Sequence, residues 1–215
     1  YGALSGLDCR WVNDPQLDEA AHRKPYQWRV AGQVGLTLPR TLVTNDPDRA
    51  RAFVEGTGVG RTVFKAFLAA PDAWRETRLV RAEDLERIAA VRYAPVIFQE
   101  YVEGVDLRIT YVDGALHAAE IDATRTAYPV DMRMVVGEAE VRAVDLPAPV
   151  ADALRRLMER LGLVYGAIDM RRRPSGEYVF FEVNPAGQWL FVEERTGQPI
   201  SRAVAAALAD RARAG

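Results

Sequence analysis

Cysteine, histidine and lysine are scarce in this 215-residue chain, with one, two and two copies respectively. A single thiol, Cys9, closes no internal disulfide, and with only His22 and His117 beside it a zinc cluster cannot be assembled. Neither Cys9 nor the histidines show the partner pattern of a nucleophile with its base. A reducing, cytoplasmic compartment is expected. An excess of one charge is also lacking. Basic residues number 28 against 30 acidic ones, so no strong field favours a nucleic acid or an anionic membrane as partner. No run approaches the roughly 18 to 20 apolar residues that a bilayer crossing needs, and the opening YGALSGLDCR has no signal-peptide core. Because the first residue is Tyr1 rather than Met, a fragment or processed product is expected. Internal repeats and low-complexity tracts are missing as well.

What is present is a composition 49% hydrophobic and 27% charged, sufficient to bury a core in one large or two small domains. Asn13-Asp14-Pro15 offers a cap with proline at a first helical turn. Pro25 interrupts the pattern at Lys24, and Gly35 ends the segment after it, which predicts two short helices. Residues 37–43 read as extended, and Asn45-Asp46-Pro47 restarts a helix that stops near Gly56. Residues 62–66 and 96–102 read as buried strands around a helix at about 82–91. Asp113-Gly114 between 105–112 and 115–121 is the strongest short-range hairpin signal. A helix comes next with Val150, Ala153, Leu154, Leu157, Met158 and Leu161 on one face and its stop at Gly162. Strands at about 164–170 and 177–184, then a helix at 199–213, close the pattern.

Three sets of residues carry chemistry. Alternation along 177–184 puts Tyr178, Phe180, Glu182 and Asn184 on one face, and the neighbouring strand ends at Asp169. Two carboxylates and a carboxamide oxygen suit magnesium, a hard cation that completes its shell with water and phosphate. The bland alternative is a strand-end cap beside two exposed polar residues. In FQEYVEGVDLRI, residues 98–109, a strand runs out through Gly104 and another begins, with Asp106 and Arg108 on one face. Such a segment fits a hinge whose backbone at Glu100 to Val102 reads an adenine edge and whose Asp106 meets ribose hydroxyls. A solvent-facing Asp-Arg pair is the alternative. Third, the only two lysines, Lys24 and Lys65, stand against 26 arginines, and Lys65 lies inside an apolar run where an unpaired cation is costly. Gly56 to Gly60 precedes a strand and lacks a following GK[ST], so it reads as a turn rather than a phosphate loop. Arg125 and Arg133 lie in an irregular polar stretch, as candidates for stabilising a transferred phosphoryl group or as plain surface residues.

These pieces in this order resemble the ATP-grasp superfamily, and in detail the ribosomal-peptide maturases that make microviridin-type ω-ester and ω-amide cyclic peptides. The resemblance rests on residues 11–45, on FQEYVEGVDLRI, on AAEIDATR (118–125) and DMR (131–133), and most specifically on YGAIDMRRRPSGEYVFFEVNPAGQWLFVE (165–193). It implies an α+β fold of two lobes, a smaller one with connecting helices over 1–101 and a larger one over 102–215, closing on ATP. It also implies that Lys24 and Lys65 reach the α- and β-phosphates, Gln99, Glu100, Tyr101 and Val102 line the adenine hinge, and Asp106 holds ribose. Asp169, Glu182 and Asn184 would hold one or two magnesium ions. Arg133, with Arg108 or Arg125, would neutralise the γ-phosphate and acyl-phosphate. The family's partner is a ribosomally made precursor peptide; a homodimer is compatible with the sequence, which fixes no oligomeric state. Two departures stand out: the stretch after Lys65, AFLAAPDAWRETRLV, has none of the glycines of the usual lid, and the family's upstream domain is absent from this sequence. Besides peptide cyclisation, two readings compete: an amino-acid-adding ligase like the ribosomal-protein glutamate ligases, and a non-catalytic nucleotide-binding module.

Overall fold

The computed structural model describes residue 2 and residues 6–66, 78–122 and 139–213. The lid stretch from 67 to 77 and the candidates Arg125 and Arg133 lie outside the described residues. Helix α1 (Pro15–Ala21) opens on Asp14, whose carboxylate accepts from the N–H groups of Gln16 at 2.8 Å and Leu17 at 3.2 Å. Helix α2 (Lys24–Gln33) is next, with Pro25 in its first turn where no N–H is needed. After β1 (Thr41–Thr44), Asp46 caps α3 (Pro47–Thr57) in the same way as Asp14 caps α1. Then come β2 (Thr62–Ala66), β3 (Arg78–Leu79), α4 (Ala82–Glu86), a 3-10 turn (Ile88–Tyr93) and β4 (Val96–Glu100). The single helix expected at 82–91 is thus a short α-helix that tightens into 3-10 geometry. Gly58 and Gly60 form the turn from α3 into β2, Gly56 lying in the last turn of α3.

These four strands form an antiparallel sheet of order β1-β4-β2-β3. Its helices cover one face, burying Ala50, Val54, Val80, Ile88 and Phe98. A second antiparallel sheet has the order β7-β6-β5-β8-β9, built from β5 (Val105–Val112), β6 (Ala115–Asp122), β7 (Glu140–Ala143), β8 (Tyr165–Arg172) and β9 (Tyr178–Asn184). The β5–β6 turn is the expected Asp113-Gly114, with φ of 46° and 93°.

Helix α5 (Ala148–Leu161) lies on one face of this sheet and buries Ala153, Leu154, Leu157, Met158 and Leu161 against Leu107, Ile109, Ile168 and Met170. Each such large side chain contributes about 1.5–3 kcal/mol by leaving water. Ala21 of α1, Val30 and Ala31 of α2, and Val34 and Leu36 share that core. Residues 21–36, expected with the smaller lobe, thus pack with the second sheet. Among the described residues the opposite face is covered by α6 (Leu190–Thr196), which sequence reading missed, and α7 (Ile200–Arg213); Val112, Ala119, Tyr165, Val192, Ile200 and Ala207 meet there. Ile121, Ala139 and Val141 meet Phe191 of α6 on the same face, beside the charged residues of β5 and β8.

Between β4 and β5 the chain passes through Gly104 at φ 146°, where a Cβ would sit 2.1 Å from the carbonyl oxygen of Arg172. Gly104→Ala should therefore lower the unfolding free energy by at least about 2 kcal/mol, read from urea denaturation. His117 of β6 supplies a pH effect. Burial pushes its pKa below the usual imidazole value, and the Glu193 carboxylate opposes that only in part. The folded chain then binds this proton less readily than the unfolded one, so stability should fall as pH drops through about 6.5 and below. In His117→Gln, urea midpoints measured across that range should show a weaker dependence.

Candidate active site

The antiparallel register of β5 and β8 sets Asp106 opposite Arg171 and Arg108 opposite Asp169, all four on the face opposite α5. Acid and base thus face each other twice with the signs exchanged. Arg171 grips Asp106 with Nε on Oδ1 and Nη2 on Oδ2, both at 2.8 Å, and Arg108 Nη1 donates to Asp169 Oδ1 at 2.7 Å. Asp106 and Arg108 are each 8% exposed and Arg171 5%, so neither is the solvent-facing pair that sequence alone left open. They share a face and each bonds across to β8, not to the other.

Asp169 lies within β8, which runs on to Arg172 rather than ending where the sequence pattern placed its end. On its other side Glu182 of β9 is its register partner. The next pair is Met170 with Phe180, which leaves Phe181 as the extra residue of a β-bulge. The bulge corrects the expected alternation. Phe180 and Val183 both enter the core, whereas the Phe181 ring lies 5.7 Å from Lys65 Nζ and 5.8 Å from the Arg171 guanidinium. Glu182 forms an ion pair with Lys24 at the start of α2. Lys24 of α2 thus meets Glu182, and Lys65 of β2 meets its neighbour Phe181.

Asn184 ends β9, and its Oδ1 accepts from Ala186 N–H at 3.0 Å. The loop beyond is tied down at three points. Asn13 Nδ2 donates to Pro185 and Tyr165 carbonyls at 3.2 and 2.9 Å while its Oδ1 accepts from the N–H groups of Val164 and Tyr165. The Tyr165 hydroxyl donates to the Gly187 carbonyl, and Arg108 Nη2 to that of Gln188 at 3.3 Å. Burial lifts the Tyr165 pKa to about 12, the Arg108 charge opposing, so the phenol stays a donor at neutral pH. Sequence reading found neither anchor; only the N-D-P cap around Asn13 drew attention to that stretch.

On the small-sheet side, Lys65 Nζ donates to Gln99 Oε1 at 3.2 Å, and buried Gln99 donates onward to Thr41 Oγ1 at 3.0 Å. Glu100 pairs with Arg173 at 2.6 Å. Tyr101 gives its N–H to the Arg61 carbonyl, its ring lies 5.6 Å from the Arg171 guanidinium, and the Val102 carbonyl accepts from Arg171 Nη1 at 2.8 Å. Arg171 thereby joins the hinge to the second sheet.

The donors fit a divalent cation. Asp169 and Glu182 are directly opposed like charges, an arrangement that destabilises a sheet unless positive charge meets it. Their side chains remain 17% and 27% exposed, open to a further ligand. Among the described residues no group of three or more His, Cys, Asp and Glu could hold a metal; Asp169 and Glu182 face each other across β8 and β9, with Asn184 two positions further along β9.

Two antiparallel sheets with their helices, joined through the segment between β4 and β5, make up the ATP-grasp fold. Macrocyclase MdnC from Microcystis aeruginosa MRC, solved with precursor peptide MdnA, is 30% identical and superposes at a TM-score of 0.85 over 97% of this chain and 67% of its own. A Chryseobacterium gregarium RiPP-associated ATP-grasp ligase, solved with ADP and a leader and core peptide, is 28% identical at 0.87 over 97% and 66%. Macrocyclase MdnB, also from Microcystis aeruginosa MRC, is 33% identical at 0.76 over 95% and 64%. The chain belongs to the RiPP-associated ATP-grasp ligases. It spans about two thirds of the length of these relatives. VanG D-Ala:D-Ser ligase from Enterococcus faecalis, at 16% identity and a TM-score of 0.64, shares the fold alone. No family model and no curated protein matches the chain.

Removing one member of a buried pair strands the other. Arg171→Met should cost about 3–5 kcal/mol by leaving Asp106 uncompensated, and Asp106→Leu added to it should restore much of the loss. Thermal and urea unfolding of the two single variants and the double variant measure this coupling.

Proposed function

We propose that this chain binds magnesium-ATP between its lobes and activates side-chain carboxylates of a ribosomally made precursor peptide for ester or amide cross-linking. The observation that carries the reading is the row Arg108, Asp169, Glu182 and Lys24, in which two opposed carboxylates are flanked by two cations on the sheet face opposite α5. The relatives support it: one is solved with ADP and peptide, and PsnB is solved with precursor, magnesium and ADP.

Asp169, Glu182 and Asn184 would hold magnesium, which when bound neutralises charge on the phosphate oxygens. Lys24 and Lys65 hold the α- and β-phosphates. Gln99, Glu100, Tyr101 and Val102 line the adenine, and Asp106 serves the ribose end. Arg133, with Arg108 or Arg125 assisting, would neutralise charge on the transferred phosphoryl group. A peptide carboxylate oxygen attacks the γ-phosphorus, the bond to ADP breaks, and an acyl-phosphate remains. A Ser or Thr hydroxyl or a Lys amine then attacks the acyl carbon, and phosphate leaves with the nucleophile's proton. One water is lost from the peptide for each bond formed. The single cysteine is consistent with a cytoplasmic setting, and none of the described helices is long and apolar enough to cross a membrane.

Incubation of the full-length protein with ATP, magnesium and a candidate precursor should release ADP and lower the peptide mass by one water per cross-link. A gain of an amino-acid residue mass would instead establish an amino-acid-adding ligase. Glu182→Gln should reduce ADP release at least about 100-fold with an unchanged melting profile. Retained turnover in that variant at saturating magnesium removes Glu182 from the site.

A further inference from the structure

Strand β9 is an edge strand of the second sheet, and its outer side would leave a row of backbone polar groups unsheeted. Another strand does not cover it. Thr37 forms an isolated parallel bridge with Val179 and accepts from Phe180 N–H at 2.9 Å. Beyond that point side chains of α2 take over. The Trp28 indole N–H donates to the Phe181 carbonyl at 2.9 Å. The Gln27 carboxamide accepts from Val183 N–H at 2.8 Å and donates to the Val183 carbonyl at 2.7 Å, reproducing with one side chain the paired bonds a neighbouring strand would make. Gln27 is 1% exposed, and its amide also donates to the Ala21 carbonyl where α1 ends.

The two clamped residues, Phe181 and Val183, flank Glu182. They also span the bulge, the one place in β9 where regular pairing with β8 does not fix the backbone. The direction of the Glu182 carboxylate there depends on bonds from outside the sheet. We infer that Gln27, seconded by Trp28, is a positioning residue that holds Glu182 opposite Asp169 for the metal. The inference rests on the proposed magnesium site. A bare edge cap would add stability without acting through Glu182; a positioning residue acts only through it.

The test is a double-mutant cycle on the full-length protein, with Mn²⁺ as the metal and a non-hydrolysable ATP analogue, and with bound Mn²⁺ read by electron paramagnetic resonance. Gln27→Met, which keeps the bulk and removes both bonds to Val183 and the one to Ala21, should weaken Mn²⁺ binding about 10-fold while changing metal-free analogue affinity less than about 2-fold. In a Glu182→Gln background the same substitution should add less than about 2-fold. An equal loss in both backgrounds, or no loss in folded Gln27→Met, overturns the inference. If Glu182→Gln alone leaves Mn²⁺ binding unchanged, the magnesium reading falls and takes the inference with it. Melting curves identify a variant that does not fold. Should Gln27→Met be one, Trp28→Phe decides: it removes a single donor, a weakening of about 3-fold absent from the Glu182→Gln background upholds the inference, and unchanged binding refutes it.

Discussion

The register between β5 and β8 governs the sheet face that carries the charged rungs. Eight residues of one strand pair with eight of the other, from Val105 with Arg172 to Val112 with Tyr165. A slip of β8 by one position would turn Ile168 and Met170 out of the core and drive Asp169 and Arg171 into it. The hydrophobic cost of that exchange holds the register, and the register in turn places each acid opposite a base. Charge and packing therefore specify the same alignment. The salt bridges add little to net stability when compared with apolar pairs of the same shape, but they make any other alignment expensive.

Much of this was legible because local signals were strong. Asp14, Asp46, Gly162 and Asp113-Gly114 mark their boundaries by mechanisms acting within a few residues, and those boundaries agree with the structure. The apolar face of α5 was readable from its spacing. The ATP-grasp fold and its peptide-associated family were legible from the motif order, above all from residues 165–193. The adjacency of Asp169 and Glu182 followed from two strands joined by a tight turn.

Other features had no local signature. The bulge at Phe181 is one: alternation is a property of an ideal strand, and an inserted residue is visible only against its partner. Residues 21–36 pack on the second sheet because of contacts with α5 and β9 more than a hundred positions away. Asn13, Gln27 and Trp28 read as ordinary helix and cap residues, yet their side chains reach the backbone of residues 164–185. Helix α6 was overlooked because seven residues give too short a periodic pattern to separate it from α7.

Arg171 bonds Asp106 within the sheet and the Val102 carbonyl in the hinge, while Arg173 of the following turn pairs with Glu100. The crossing between the lobes is thus spliced to β8, the strand that carries Asp169. A linker fastened in this way is not slack. Torque applied to the small sheet reaches β8 through these two arginines, on the strand that sets Asp169 opposite Glu182.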